Sequence, residues 1–211
     1  MHVAELWRYP VKSMAGEPLE EAVLGEDGIA GDRILAVFDA RGAVVTARTR
    51  PQLLAHRAVL GADGEPLVDG RPWTDPGVAR DVEAAAGAGA RLGRIGAEDR
   101  FDVRPLLVAT DGAIATLGAD RRRFRPNLLV GGVTGLEERR WEGRLLRAGT
   151  CLIAVADLRG RCVMTTFDPD TQAQDMGVLR RIVRELDGTL ALNCDVQLGG
   201  VVRVGDAVVL E

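Results

Sequence analysis

Short apolar runs rich in Val, Ile and Leu recur along the chain, and Gly, Asp and Pro interrupt them repeatedly. This pattern is typical of antiparallel strands joined by turns, because β-branched residues favour extended backbone while Gly, Asp and Pro favour turns. It therefore predicts a mainly β protein. The expected strands are residues 3–7, 34–39, 43–47, 53–60, 127–130, 144–147, 151–158, 189–197 and 201–210.

Helical spacing is confined to a few short segments. The clearest helix follows Asp175, which can cap a helix N-terminus, and it places Ile182 and Leu186 on one apolar face. Two shorter helices are expected over residues 77–86 and 110–117. Turns or loops are expected at residues 39–42, 61–70 and 87–93.

The composition narrows the possible functions. Asp and Glu (31) exceed Lys and Arg (27), and the resulting net charge of -4 disfavours a general nucleic-acid binder. Only two histidines occur, His2 and His56. A metal site with three histidines is therefore excluded, and a Ser-His-Asp triad would depend on one of these two.

The apolar runs, the N-terminus and the cysteines indicate the cellular compartment. The longest apolar run in the second half, residues 151–156, is too short to span a bilayer, and the N-terminal residues lack the features of a signal peptide. The three cysteines are an odd number without Cys-x-x-Cys spacing, which favours reduced thiols over disulfides or a zinc site. We expect a cytoplasmic protein with no membrane contact.

Lys12 is the only lysine among 27 basic residues, all the others being arginine. An ammonium is a compact point charge, whereas a guanidinium needs more room and imposes a planar geometry. The retained lysine therefore suggests a tight contact with an anion. The alternative is that one lysine occurs by chance in an arginine-biased composition.

Several motifs occur together, and in order they resemble the MOSC proteins, named after the C-terminal domain of molybdenum-cofactor sulfurase. They are LWRYPVKS (6–13), GDR (31–33), TAR (46–48), FRPN (124–127), RCVMTTFDPD (161–170) and VGD (204–206). The resemblance implies a mainly β (α+β) fold with few short helices, in which a β-barrel-like MOSC domain packs with an N-terminal β-rich subdomain. The expected division is residues 1–100 for the N-terminal segment and 101–211 for the MOSC domain, with one cofactor pocket between them.

The resemblance also implies a molybdenum cofactor, a pterin whose dithiolene sulfurs hold the metal and whose tail is a phosphate. In the amidoxime-reducing branch a cysteine completes the metal's sulfur ligands, and the matching residue is Cys162. A soft thiolate suits such a metal, and the adjacent Arg161 would favour the deprotonated sulfur. Many relatives have a second cysteine two positions earlier, where this chain has Gly160, which argues against paired-thiol chemistry. A buried structural role is the alternative for Cys162, and it is the expected one for Cys151 and Cys194.

The remaining matching positions would bind the phosphate and the pterin. They are Lys12, Ser13, Arg33, Arg48, Arg125 and Asn127. Cations and a hydroxyl suit a phosphate, and an amide side chain suits the edge of a pterin. Alternatively, Arg33 and Arg48 are surface charges at strand ends, and Asn127 only terminates a turn.

Three features near these motifs are not assigned to the main cofactor site. The side chains of residues 121–123 are expected to form a solvated basic face. Thr110 is a weaker candidate for a phosphate or pterin contact. Asp168 is expected to form the turn that fixes the cysteine loop, with proton relay as the alternative.

The function implied is a molybdenum-cofactor-binding oxidoreductase that reduces N-hydroxylated or other N-oxygenated small molecules, with Cys162 as the catalytic metal ligand. Electrons would come from a separate ferredoxin- or flavoprotein-like donor, since no cysteine-rich segment follows Glu211. The main alternative is a non-enzymatic protein that stores or delivers the cofactor or a sulfur-containing derivative. A third is a fold that has lost its ligand and mediates protein contacts.

Overall fold

The computed structural model describes the backbone of residues 1–211 and the side chains of all of them except Ala97. The strands are β1 (His2–Arg8), β2 (Glu17–Leu19), β3 (Glu21–Gly25), β4 (Gly28–Ile29), β5 (Leu35–Phe38), β6 (Val44–Val45), β7 (Ala58–Leu60), β8 (Pro66–Val68), β9 (Arg71–Pro72), β10 (Arg91–Arg94), β11 (Leu106–Thr110), β12 (Leu128–Gly131), β13 (Leu145–Ala148), β14 (Cys151–Gly160), β15 (Thr189–Leu198), β16 (Gly200–Arg203) and β17 (Val208–Leu210). The α-helices are α1 (Pro76–Ala86), α2 (Ala97–Arg100), α3 (Asp111–Leu117) and α4 (Met176–Leu186). The mainly β prediction with few short helices is confirmed.

The largest sheet has eight strands in the order β17-β13-β14-β15-β11-β12-β1-β2. β11 and β12 pair in parallel, whereas the pattern predicts antiparallel strands. A parallel pair needs a long crossover connection, and α3 with the residues that follow it supplies one. The terminal strands β17 and β2 do not pair, so the described residues form no closed barrel.

The main core lies against this sheet. Leu6 of β1, Leu128 of β12 and Ile153 of β14 are almost completely buried in one apolar cluster. Burying a side chain of this size stabilises a fold by about 1.5–3 kcal/mol. Because β1 belongs to the N-terminal segment, this core already contains residues from both ends of the chain.

The N-terminal half also forms small sheets, β10-β5-β6 and β7-β8-β9, with α1 packed beside them. Asp75 caps α1, since its carboxylate accepts hydrogen bonds from the backbone of Gly77 and Val78 at 2.7 and 3.3 Å. Two pairings, β1 with β12 and β3 with β16, join residues on opposite sides of position 100. A division into domains at that position stays a prediction.

The caps predicted for helices α3 and α4 are confirmed. Thr110 Oγ1 accepts from the backbone N–H of Ala113 at 3.2 Å at the start of α3. Asp175 accepts from Gly177 N at 2.7 Å at the start of α4. No helix in the described part of the chain is both long and apolar enough to span a bilayer.

Two strand predictions were wrong in part. Residues 53–55 are not extended, because a 3₁₀ helix runs over Pro51–Ala55, and the strand starts at Ala58. Proline fixes φ in the helical range and lacks an N–H, so it favours the first turn of a helix. The strand predicted over 201–210 is interrupted between β16 and β17, where Gly205 has a φ of 91°.

The loop predictions were wrong at two places, because both contain a strand. Residues 61–70, predicted as turns, include β8. The glycine-rich residues 87–93 include most of β10, whose backbone pairs with β5. Glycine within a strand often marks a place where a neighbouring group packs closely, and the Phe38 ring lies against Gly93.

Candidate functional site

One pocket contains the eight residues that the motifs assign to cofactor or metal binding. It is lined by Lys12, Ser13, Arg33, Arg48, Arg125, Asn127, Arg161 and Cys162, together with other side chains. These residues follow or precede strands β1, β5, β6, β12 and β14, so the strand ends bring distant motifs together. Lys12 and Cys162, 150 positions apart in the chain, therefore line the same cavity. Whether these residues bind a ligand stays a prediction.

The pocket is strongly basic. Its lining includes Lys12, Arg33, Arg48, Arg100, Arg104, Arg123, Arg125, Arg159 and Arg161, and Asp102 is the only carboxylate among the described lining residues. A concentration of like charge in a concave site attracts anions. The chain as a whole carries a net charge of -4, so this positive region is a local feature of the fold.

Three of the predicted residues have left-handed backbone conformations. The φ angles of Ser13, Arg33 and Arg125 are 73°, 50° and 55°. Side chains other than Gly, Asn and Asp rarely adopt this conformation, and it is often associated with functional sites. At each of the three positions the backbone is therefore strained, and this strained conformation sets the direction of the side chain.

A buried network fixes Arg33. Asp32 is completely buried; one of its carboxylate oxygens accepts from Tyr9 N at 2.7 Å, and the other pairs with Arg33. Asn127 Nδ2 donates to Asp32 Oδ2 at 3.1 Å and to the Trp7 carbonyl at 3.2 Å, and its Oδ1 accepts from Leu107 N at 3.2 Å. The Asn127 amide is thus more than the end of a turn, because it connects β1, β11 and the Asp32 carboxylate.

Ser13 and Arg33 present groups to the pocket in different ways. Ser13 Oγ accepts from Ala47 N at 3.0 Å, which leaves the hydroxyl proton free to donate to a ligand. The Arg33 guanidinium lies near two aromatic rings, 5.1 Å from the Tyr9 centroid and 5.8 Å from the Phe101 centroid. Its side chain is only 14% exposed, so the interpretation of Arg33 as a surface charge is wrong.

Several arginine nitrogens in the pocket lack partners. Of four buried side-chain nitrogens without a hydrogen bond among the described residues, three belong to the lining residues Arg100, Arg125 and Arg161. Buried polar atoms are almost always paired, so such a concentration in one cavity indicates a missing hydrogen-bond acceptor. Burial lowers the pKa of Arg125 and of Arg161 to about 10, so both remain cationic at neutral pH.

Cys162 lies at the end of β14 and immediately before a 3₁₀ helix, Val163–Thr166. Cys162 is partly exposed and lines the pocket, and its carbonyl accepts a hydrogen bond from Thr165 Oγ1 at 2.9 Å. Cys151 and Cys194 are completely buried elsewhere, in the main core, and burial raises the pKa of both thiols. Cys162 is therefore the one accessible thiol among the described residues.

Asp168 holds the loop after Cys162. Its Oδ1 accepts from Asp170 N at 3.1 Å and from Thr171 N at 3.0 Å, as expected of a residue that forms a turn. Its Oδ2 pairs with Arg123 at 2.8 Å, and Arg123 also donates to the Thr166 carbonyl. Arg123 is 12% exposed and lines the pocket, so the prediction of a solvated face over residues 121–123 was wrong at this position.

Thr110 is not part of the pocket. It is completely buried, and its hydroxyl donates to Glu138 Oε2 at 3.2 Å while capping α3. The sequence argument for a ligand contact was wrong because helix capping already uses the side chain. In the other direction, sequence reasoning missed Arg100, Asp102, Arg104 and Arg159, which line the pocket.

Protein side chains alone do not form a metal site here. Within the described residues, no three His, Cys, Asp or Glu side chains gather closely enough to hold a metal ion. A metal bound beside Cys162 would therefore need ligands supplied by another molecule. The unpaired arginines indicate that such a molecule would be anionic.

Comparisons with known proteins identify related sequences and folds. Residues 1–72 match the MOSC N-terminal beta barrel domain, and residues 108–209 match the MOSC domain. The chain is 27% identical to mitochondrial amidoxime reducing component 2 of Macaca fascicularis over an alignment of 235 positions, which covers 82% of this chain and 68% of the relative. The human protein of the same name is 25% identical over 279 positions, with coverage of 98% and 82%. The crystal structure of the YUAD protein from Bacillus subtilis has a similar fold, with a TM-score of 0.53, 15% identity, and coverage of 98% of this chain and 93% of that one.

Proposed function

The chain belongs to the MOSC domain family, and from that premise we propose that it binds a molybdenum cofactor and reduces N-hydroxylated or other N-oxygenated compounds. The observation that carries the proposal is a single thiol in a cavity whose buried arginine nitrogens lack acceptors. The names of two relatives, both mitochondrial amidoxime reducing component 2, support the reaction class.

The lining residues fit such a cofactor in charge and in donor type. Arg125 and Arg161 provide unpaired donors for an anion, and the Ser13 hydroxyl can add another. Cys162 provides the soft sulfur ligand that molybdenum accepts. Since the described residues form no metal site of their own, the remaining metal ligands would belong to the cofactor.

We propose that different lining residues bind different parts of the cofactor. Lys12, Arg48 and Arg125 would bind the phosphate, with Ser13 as hydroxyl donor. Arg33 would contact the pterin, oriented by Asn127 and Asp32, which pair with it inside the protein. Arg161 would stabilise the thiolate of the adjacent Cys162.

When bound, the cofactor supplies the two-electron chemistry that cleaves the N–O bond. The chain's own contribution is to hold the ligand and to keep a fixed positive field around it. Arg161 is well suited to this, because its Nη2 donates to the Phe124 carbonyl at 2.9 Å and its guanidinium stacks on the Phe124 ring at 5.5 Å. Preorganised charge of this kind needs no reorganisation during the reaction.

Electrons would come from a separate ferredoxin- or flavoprotein-like protein. Arg48 and Arg104 lie at the rim of the pocket, with side chains 37% and 46% exposed. Exposed cations around a redox site favour a partner with an acidic face, because complementary charges accelerate association. We therefore propose that the donor docks over this rim.

The proposal is tested by molybdenum and pterin content after expression in a host that makes the cofactor. We expect stoichiometric metal in the wild type, and loss of metal and of turnover in Cys162→Ala and Lys12→Ala. Cys151→Ala, which removes a buried thiol outside the pocket, should retain the metal. Circular dichroism checks that each variant folds.

Three outcomes would contradict the proposal or part of it. Wild-type protein without molybdenum and pterin would leave the family fold without this function. A loaded Cys162→Ala variant with wild-type activity would refute the ligand assignment. Bound cofactor with no reduction of any hydroxylamine or amidoxime, given a chemical reductant, would indicate a cofactor carrier instead.

A further inference from the structure

Asp102 places a carboxylate among the cations of the pocket. Its Oδ1 lies 3.1 Å from Lys12 Nζ, while Oδ2 pairs with Arg48 and lies 3.5 Å from Arg159 Nη2. Partial burial raises the pKa of Asp102, but the charges of Lys12 and Arg48 lower it by a larger amount, so the net shift is downward. At neutral pH this side chain is therefore an anion held by three cations.

The three cations around Asp102 include two that the sequence assigns to an external anion. Lys12 and Arg48 are expected to bind phosphate, yet here both pair with a carboxylate of the protein itself. A carboxylate and a phosphate accept the same charge-assisted hydrogen bonds. The two anions would therefore compete for the same donors.

The size of the pocket gives a second, independent indication. Its volume is about 100 Å³, whereas sites for small molecules and cofactors usually measure about 300–1,000 Å³. Five consecutive residues, 100–104, form part of its wall. A second cavity of about 490 Å³ shares Arg123, Arg125 and Met164 with this pocket, so the narrow part is the one beside Asp102, and a shift of this segment would widen it.

The segment 100–104, which we call the gate segment, is weakly attached. It lies between α2 and β11, and no backbone–backbone hydrogen bond involves residues 102–104 in the described chain. Val103 is 53% exposed and packs little. Its side chains are attached by the contact between the Phe101 ring and Arg33 and by ion pairs, including Arg104 with Asp195 at 3.1 Å, and partly exposed ion pairs contribute little to stability.

We propose that Asp102 is an internal anion that closes the pocket, and that the gate segment moves away when an external phosphate-type anion binds Lys12, Arg48 and Arg159. The inference rests on the proposed function only in taking the pocket to be an anion site, and it does not depend on the metal. It adds a competition that the family resemblance does not include. Anion affinity and access to the pocket are then set by the same residue.

The test is the affinity of the purified protein for inorganic pyrophosphate, measured by isothermal titration calorimetry at low salt. Asp102→Asn keeps the shape of the side chain and removes its charge. Asp81→Asn is the matched control, because it also removes one negative charge, from an exposed pair with Arg71 at 2.5 Å outside the pocket. We expect the dissociation constant of Asp102→Asn to be at least tenfold lower than that of Asp81→Asn.

Limited proteolysis provides the second readout, because trypsin cleaves the bond after Arg100 in the gate segment. In the wild type, pyrophosphate should increase the rate of cleavage at this bond, followed by mass spectrometry, since the ion pairs that hold the segment are broken. In Asp102→Asn, cleavage there should already be fast without the ligand. An unchanged cleavage rate on binding in the wild type would refute the movement.

The affinity outcomes separate this inference from the proposed function. Equal affinities in Asp102→Asn and Asp81→Asn, with clear binding in both, would refute competition and leave the anion site intact. Weaker binding in Asp102→Asn would make Asp102 a residue that positions Lys12 and Arg48, which also refutes the gate. No pyrophosphate binding in any variant would refute the anion site, and the gate with it.

Discussion

The guanidinium carbon of Arg125 lies 4.2 Å from the centroid of the Tyr9 ring, and Tyr9 is the only tyrosine in the chain. The ring is 4% exposed, and its hydroxyl donates to the Pro126 carbonyl at 3.1 Å. A cation over an aromatic face is stabilised by about 0.5–2 kcal/mol, more when it is desolvated. Tyr9 therefore holds Arg125 in the pocket without neutralising its charge.

The burial of Tyr9 can be measured directly. Burial raises the pKa of Tyr9 to about 12, and the ordinary value of a tyrosine is about 10. Because the chain has a single tyrosine, absorbance at 295 nm reports this group alone. We expect a midpoint near 12 for the folded protein and near 10 in denaturant; a folded-state midpoint near 10 would show that the ring is solvated.

The same shift predicts a loss of stability at alkaline pH. Between pH 10 and 12 the unfolded chain has released the phenol proton and the folded chain still binds it, so the free energy of unfolding falls as pH rises. The contribution of Tyr9 is at most about 1.4 kcal/mol per pH unit. Tyr9→Phe, which cannot ionise, should lose less stability over this range in urea unfolding experiments.

Asn127 links the site to the fold, and its removal should destabilise the protein. Its amide is 1% exposed and bonds to Trp7, Asp32 and Leu107, so Asn127→Ala leaves several buried groups unpaired. We expect a loss of about 2–4 kcal/mol in the free energy of unfolding.

Two further variants make this measurement specific. Asn127→Asp keeps the shape of the side chain but places a carboxylate 3.1 Å from the Asp32 carboxylate, so it should be at least as destabilising as alanine. Gln197→Ala, at an exposed position of β15, should change stability by less than about 0.5 kcal/mol. If Asn127→Ala is as mild as this control, the network does not stabilise the fold.

The sequence predicted local structure best where a side chain bonds to its own segment. Asp175 and Thr110 mark helix starts correctly, because capping depends only on residues two or three positions away. The strand prediction was wrong at residues 53–55 because apolar residues were taken as extended, while Pro51 favoured a helical turn that buries Leu53 and Leu54.

The site was predictable through its motifs and much less through its charges. Arginines occur throughout the chain, and no local pattern shows that Arg159 faces the pocket while Arg147 pairs with Glu211 at the surface. Their directions depend on which strand ends meet. Asp102 lies in an irregular segment outside every recognised motif, so only the fold reveals its three cationic neighbours.

The single lysine makes a sharp prediction about shape. The Lys12 side chain is 13% exposed, and Nζ donates to the Asp99 carbonyl at 2.9 Å. A guanidinium is larger and planar, so Lys12→Arg should lower cofactor or pyrophosphate affinity by about tenfold although the charge is kept. If Lys12→Arg binds like the wild type while Lys12→Ala does not, only the charge at this position matters, and the size argument fails.

The substitution Arg161→Lys also keeps the charge and changes the shape, and its effect should depend on pH. Lysine at this buried position could not reproduce both the bond to the Phe124 carbonyl and the donor at Nε, and one lost charged hydrogen bond costs about 1.5–3 kcal/mol. Burial already lowers the pKa of the arginine to about 10, and a lysine there would have a lower pKa than an exposed one. Pyrophosphate should therefore bind Arg161→Lys at least tenfold more weakly at pH 8, with partial recovery at pH 6 as the amine becomes protonated. Arg147→Lys, at an exposed pair with Glu211, is the control at each pH, and a parallel pH dependence in both variants would show that position 161 is not desolvated.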